Sequence, residues 1–94
     1  LWADCPGYVG RYKVSDRGRV LNVKSGRVLN GSGKGGYRQV QLSAPGRALK
    51  CWLVHRLVAT AFHGPAPVGY VVNHKSGVKA DNSAGNLAWV TKRE

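Results

Sequence analysis

One histidine stands where a short β-branched run gives way to a polar loop. The run is Tyr70-Val71-Val72-Asn73-His74, and the loop continues through Asp81, Asn82 and Asn86 to a second apolar run, Leu87-Ala88-Trp89-Val90-Thr91. A neutral imidazole can take a proton from water near pH 7. The amide oxygen of the preceding Asn73 can ligate a hard cation. Long polar loops are where functional side chains concentrate. A histidine at a strand end is more often structural than catalytic, so His74 draws its interest from this company.

The charge balance names a partner for such chemistry. Fifteen Lys and Arg face four Asp and Glu, a net charge of +11. Each phosphate neutralised by a cation releases counterions, so the excess favours a polyanionic partner, and a nucleic acid is expected. The shortage of acids excludes other reactions. Asp4, Asp16, Asp81 and Glu94 offer no close pair for a two-metal or glycosidase site. Cys5 and Cys51 lie far apart without a C-x-x-C, so no zinc is expected; they read as buried, reduced thiols. No apolar run approaches a membrane span and no signal peptide is visible. The expected location is the cytoplasm of a prokaryotic or phage-infected cell, and the expected state is a monomer.

The elements that must position His74 follow from punctuation and period. "YKVSDRGRVLNV" places Asp16-Arg17-Gly18 between β-formers, and Lys24-Ser25-Gly26 separates the next two runs. Both read as hairpin turns. Residues Asn30 to Gly36 read as a loop; Lys34 lies in it without the spacing of a P-loop. Tyr37 to Ser43 alternates as a strand whose Arg38-Val40-Leu42 face is apolar except for Arg38. Leu49, Cys51 and Leu53 read as the apolar face of the next strand. From Leu53 to Phe62 the apolar spacing becomes helical, with His55 on another face and His63 capping the helix end. Trp2, Trp52 and Trp89 are expected in the core. Thr91 to Glu94 matches T-x-x-E, a capping box opening a further helix.

In this order the segments resemble a known family. "VVNHKSG…NSAGNLAWVT" resembles the HNH nuclease motif of the ββα-metal type. "GYVGRYKVSDRGRV", "GGYRQVQL" and "VHRLVATAF" resemble what precedes it in phage and intron homing endonucleases with a NUMOD-type DNA-binding element. The resemblance implies a DNA endonuclease that hydrolyses phosphodiester bonds, by nicking or double-strand cutting, with one divalent metal: Mg²⁺, or Mn²⁺ in its place. It implies His74 as general base, Asn73 as metal ligand, and Asn86 as a structural residue that bonds across the loop. Two departures stand out: Asn73 and Ser76 occupy positions where the family often has Asp. With them comes a second expectation, a catalytically weak or inactive DNA-binding module of the same fold.

The expected fold class is α+β. It has N-terminal antiparallel β hairpins, one central helix, and a C-terminal ββα-metal motif whose last helix, the source of the final metal ligand, is truncated. One domain is expected over 1–94, with 1–50 as the β-rich DNA-binding part and 51–94 as helix plus HNH motif. The expected DNA contacts are Arg11, Lys13, Arg17, Arg19, Lys24, Arg27, Lys34 and Arg38 on the β half, with Lys75 and Lys79 flanking the site.

Overall fold

The computed structural model describes residues 1–29, 31–34, 37–78 and 81–91, with the side chains of Ser32 and Lys34 outside the description. Lys79 and the residues 92–94 of the expected capping box also fall outside it. Among the described residues, three antiparallel sheets and one α-helix make an α+β fold.

The first sheet is a meander of β1 (Trp2–Asp4), β2 (Tyr12–Ser15), β3 (Val20–Asn22) and β4 (Arg27–Leu29). Its two central turns fall where glycine allows them, with Gly18 at φ +83° and Gly26 at φ +71°. The register sets Val14 opposite Val20 and Val20 opposite Leu29, so one face is apolar. Trp2, on the edge strand, is 44% exposed rather than in the core.

The second sheet contains β5 (Ser32–Lys34), β6 (Tyr37–Ala44) and β7 (Arg47–Leu53). Residues 32–34 were expected in a loop, but they pair with Tyr37–Gln39. Ladder hydrogen bonds use backbone groups alone, so a Ser-Gly-Lys segment with no apolar pattern can supply an edge strand. β7 also shows the opposite face from the one expected. Leu49 and Cys51 are exposed, while Trp52, opposite Val40, packs against the core. The reason is register: Val40 and Leu42 on β6 are buried, and pairing commits alternate β7 residues to their side. Of the two free thiols only Cys5 is buried, and burial pushes it up to about 12.

β7 runs directly into α1 (Val54–His63), which ends at Gly64 with φ +84°. Val54, Leu57, Val58 and Ala59 are buried. The third sheet is a hairpin of β8 (Tyr70–His74) and β9 (Leu87–Thr91), closed by a 3₁₀ turn at Ala84–Asn86. One buried cluster takes Val14 and Val20 from the first sheet, Val40 and Leu42 from the second, Leu57 and Val58 from α1, and Leu87 from the third. Among the described residues no helix is long and apolar enough to cross a membrane.

Candidate active site

His74 ends β8 directly opposite Leu87, so the hairpin register places its ring at the margin of the core. The ring is half-buried. Its Nε2 lies 2.9 Å from Oδ1 of Asn82. A carboxamide oxygen only accepts, so in this pairing Nε2 carries the hydrogen and Nδ1 keeps its lone pair. No described residue bonds that Nδ1. Two aromatic rings complete the surroundings: His55 of α1 at 5.0 Å between centroids and Tyr37 of β6 at 5.9 Å.

His55 lies off the apolar stripe of α1 in the linear pattern, and it is a packed residue, buried against Tyr37 with ring centroids 5.2 Å apart. Its Nδ1 finds no hydrogen-bond partner among the described residues. Burial first, then the neighbouring His74 and Arg56, lowers its pKa from 6.5 to about 4. The ring is therefore neutral at pH 7. Because the unfolded state binds the proton more readily, stability is fully present above pH 6.5 and is lost as pH falls through about 4. The full contribution is about 3 kcal/mol. Chemical denaturation of wild type and His55→Gln across that window should show a pH slope that the variant lacks.

The loop after His74 is tied by Asn86. Asn86 Oδ1 accepts from the Ser76 N–H at 3.0 Å, its Nδ2 donates to the Asp81 carbonyl at 2.9 Å, and its own carbonyl accepts from the Lys75 N–H at 2.7 Å. Ser76 Oγ accepts from the Val78 N–H, an arrangement that suits a turn. The Asp81 carboxylate is held below its usual range by hydrogen bonds from the Ser83 hydroxyl and N–H, with a smaller effect from His74. His63, expected to cap its own helix, instead directs Nε2 to the Ala84 carbonyl at 2.7 Å. Its exposed side chain reaches across to the 3₁₀ turn.

Asn73 is exposed and its amide engages no described residue, which leaves a free, hard oxygen donor next to His74 in sequence. Among the described residues no three His, Cys, Asp or Glu side chains gather as a metal-binding group. Asn82 is only 3% exposed, and its Nδ2 has no partner among the described residues. Burying an unpaired amide group costs about 1–3 kcal/mol, so packing alone does not account for Asn82. Neither Asn82 nor the Tyr37–His55 pair stood out in the sequence. An asparagine in a turn-rich loop has no local signal of burial.

Comparison with known proteins agrees with this arrangement. Residues 53–94 match the family model for HNH endonucleases, and residues 1–43 match the NUMOD4 motif. The C-terminal half of the chain thus carries the HNH endonuclease motif, and the N-terminal half carries the NUMOD4 motif. DNA endonuclease I-HmuI of Bacillus phage SP01 is 43% identical over 93 residues, covering 98% of this chain and 53% of that protein. An uncharacterised HNH endonuclease of Acanthamoeba polyphaga mimivirus is 38% identical over 98 residues, covering 100% of this chain and 24% of that one. A solved structure of the HNH homing endonuclease I-HmuI superposes with a TM-score of 0.90 at 42% identity, over 99% of this chain and 53% of that one. The chain thus spans about half the length of the I-HmuI relative.

The cations distribute unevenly around the HNH segment. Arg17 and Arg19 flank Gly18, whose backbone packs against Asn82. Arg19 and Arg38 line one cleft of 440 Å³, and Arg11 and Lys24 line another of 450 Å³. Arg27 is exposed on β4 and Lys75 is exposed beside His74. Lys13 is half-buried on β2, opposite Asp4 of β1. Two further cations serve the fold: Arg47 lies over the Tyr8 ring and bonds the Gly7 carbonyl, and Lys50 lies over Trp52.

Proposed function

We propose that this chain binds double-stranded DNA and hydrolyses its phosphodiester bonds, with His74 as the general base. One observation carries the reading: the imidazole is half-buried, with Nε2 held by Asn82 and Nδ1 bonded to none of the described residues. Nδ1 takes a proton from a water as that water attacks phosphorus, the bond to the leaving 3′ oxygen breaks, and that oxygen takes a proton from solvent water. The products are a 5′ phosphate and a 3′ hydroxyl.

Mg²⁺ is usually held by one or two protein oxygens together with substrate phosphate and water. Asn73 supplies one such oxygen but no charge. It fits an ion that arrives with the DNA phosphate rather than one resident in the free protein. When bound, such an ion polarises the phosphate and stabilises the leaving oxygen. Asn73→Asp should lower the Mg²⁺ concentration for half-maximal cleavage by about tenfold, because a full charge beside the cation is worth about 1 kcal/mol or more. A cleavage titration with Mg²⁺ measures this.

Plasmid nicking tests the proposal. Supercoiled DNA is incubated with Mg²⁺ or Mn²⁺, with and without EDTA, using this chain and the chain with any residues encoded after Glu94. Metal-dependent nicking abolished by EDTA supports the reading. Salt-sensitive binding without nicking in either form would favour the binding module, which the neutral Asn73 also suits. For the DNA contacts, the logarithm of affinity should fall linearly with log salt, by about 0.9 per phosphate contacted. Replacing Arg17 and Arg19 together by Ala should reduce that slope by about 2, measured by fluorescence anisotropy.

A further inference from the structure

We infer that Asn82 is a positioning residue for His74, and that the turn between β2 and β3 holds Asn82 in place. The inference rests on His74 serving as the base. Asn82 Oδ1 meets His74 Nε2 at 2.9 Å, and Asn82 is almost wholly buried. That contact selects the tautomer with hydrogen on Nε2 and directs the lone pair of Nδ1 outward. A loop asparagine without this task would normally face water. Here the Nδ2 half of its amide is buried with no partner among the described residues, a cost that the bond to His74 explains.

The support beneath Asn82 comes from the NUMOD4 segment. Gly18 adopts φ +83°, and a Cβ added there would lie 2.8 Å from both the carbonyl carbon and the Cβ of Asn82. The turn backbone therefore fills the space directly beneath the asparagine. Ala84 N donates to the Asp16 carbonyl at 2.6 Å, which fastens the same loop two residues further on. The turn is itself rigid: buried Ser15 accepts the N–H groups of Arg17 and Arg19 on its Oγ. A DNA-binding hairpin and the base are thus joined through one buried amide. Any distortion of the turn on DNA binding would be felt at His74.

The tautomer can be read directly. Two-bond ¹H–¹⁵N spectra of histidine-labelled protein should show His74 protonated at Nε2 in the wild type. Asn82→Ala should mix the tautomers and lower kcat for plasmid nicking by about 10- to 100-fold, with KM for DNA nearly unchanged. Asn82→Asp keeps the acceptor and should restore both the tautomer and most of kcat. Gly18→Ala should reproduce the Asn82→Ala effects. A wild-type His74 protonated at Nδ1 would overturn the inference without any variant being needed. So would a folded Asn82→Ala protein with unchanged tautomer and kcat. His74→Ala in the same series separates the two ideas: if it cleaves normally, the role of His74 as base fails. If it is inactive while Asn82→Ala is unaffected, only the positioning role fails.

Discussion

His74→Ala should slow DNA strand cleavage about 10²- to 10⁴-fold and leave DNA affinity essentially unchanged. The range is what a positioned general base contributes, about 3–5 kcal/mol of barrier. Affinity should hold because the proposed phosphate contacts are cations elsewhere on the strands and turns, and the half-buried imidazole is not one of them. Cleavage under single-turnover conditions, with enzyme in excess over plasmid, separates the chemical step from binding and release. A variant that binds normally and still cleaves within threefold or so of wild type would remove His74 from the reaction. The neighbouring rings make a useful control. His55 packs on the same imidazole but is buried and neutral, with its pKa lowered to about 4. Its replacement should act on stability far more than on the chemical step.

Leu87→Ala should destabilise the fold by about 2–5 kcal/mol, the usual cost of deleting a buried leucine and leaving a cavity. For a domain of this size that corresponds to a fall of about 10–30 °C in thermal midpoint. Leu87 is 1% exposed, sits directly opposite His74, and belongs to the cluster that also holds Val14, Leu42 and Leu57. The loss should therefore be global and should not be confined to the hairpin. Thermal circular dichroism gives the midpoint, and Val71→Ala on the exposed face of β8 gives a baseline expected within about 0.5 kcal/mol of wild type. If Leu87→Ala cost less than about 1 kcal/mol, the β8–β9 hairpin would not depend on the shared core.

Much of this organisation could be read along the chain. The turns at Asp16-Arg17-Gly18 and Lys24-Ser25-Gly26 declare themselves because only glycine accepts their backbone angles without strain. The change from alternating to helical spacing near Leu53 locates α1 to within one residue of Val54–His63. The runs ending at His74 and beginning at Leu87 are both strands, as their β-branched and apolar content implies. Each of these signals lies within a short window of neighbours, where propensity and period act.

What escaped the linear reading depends on which surfaces meet. β5 has no apolar pattern and exists because β6 offers it a backbone edge. β7 turns Trp52 inward and Cys51 outward because its pairing with β6 fixes the shared face. His55 lies off the apolar stripe of α1, and which rings it packs on, Tyr37 and His74, is decided by the meeting of α1 with β6 and β8. Residue types and spacing marked His74 as the reactive candidate. The partner of its Nε2, and the turn that supports that partner, come from segments far from it in the chain. Their meeting is set by the packing of three sheets around one helix, and no local sequence pattern encodes that contact.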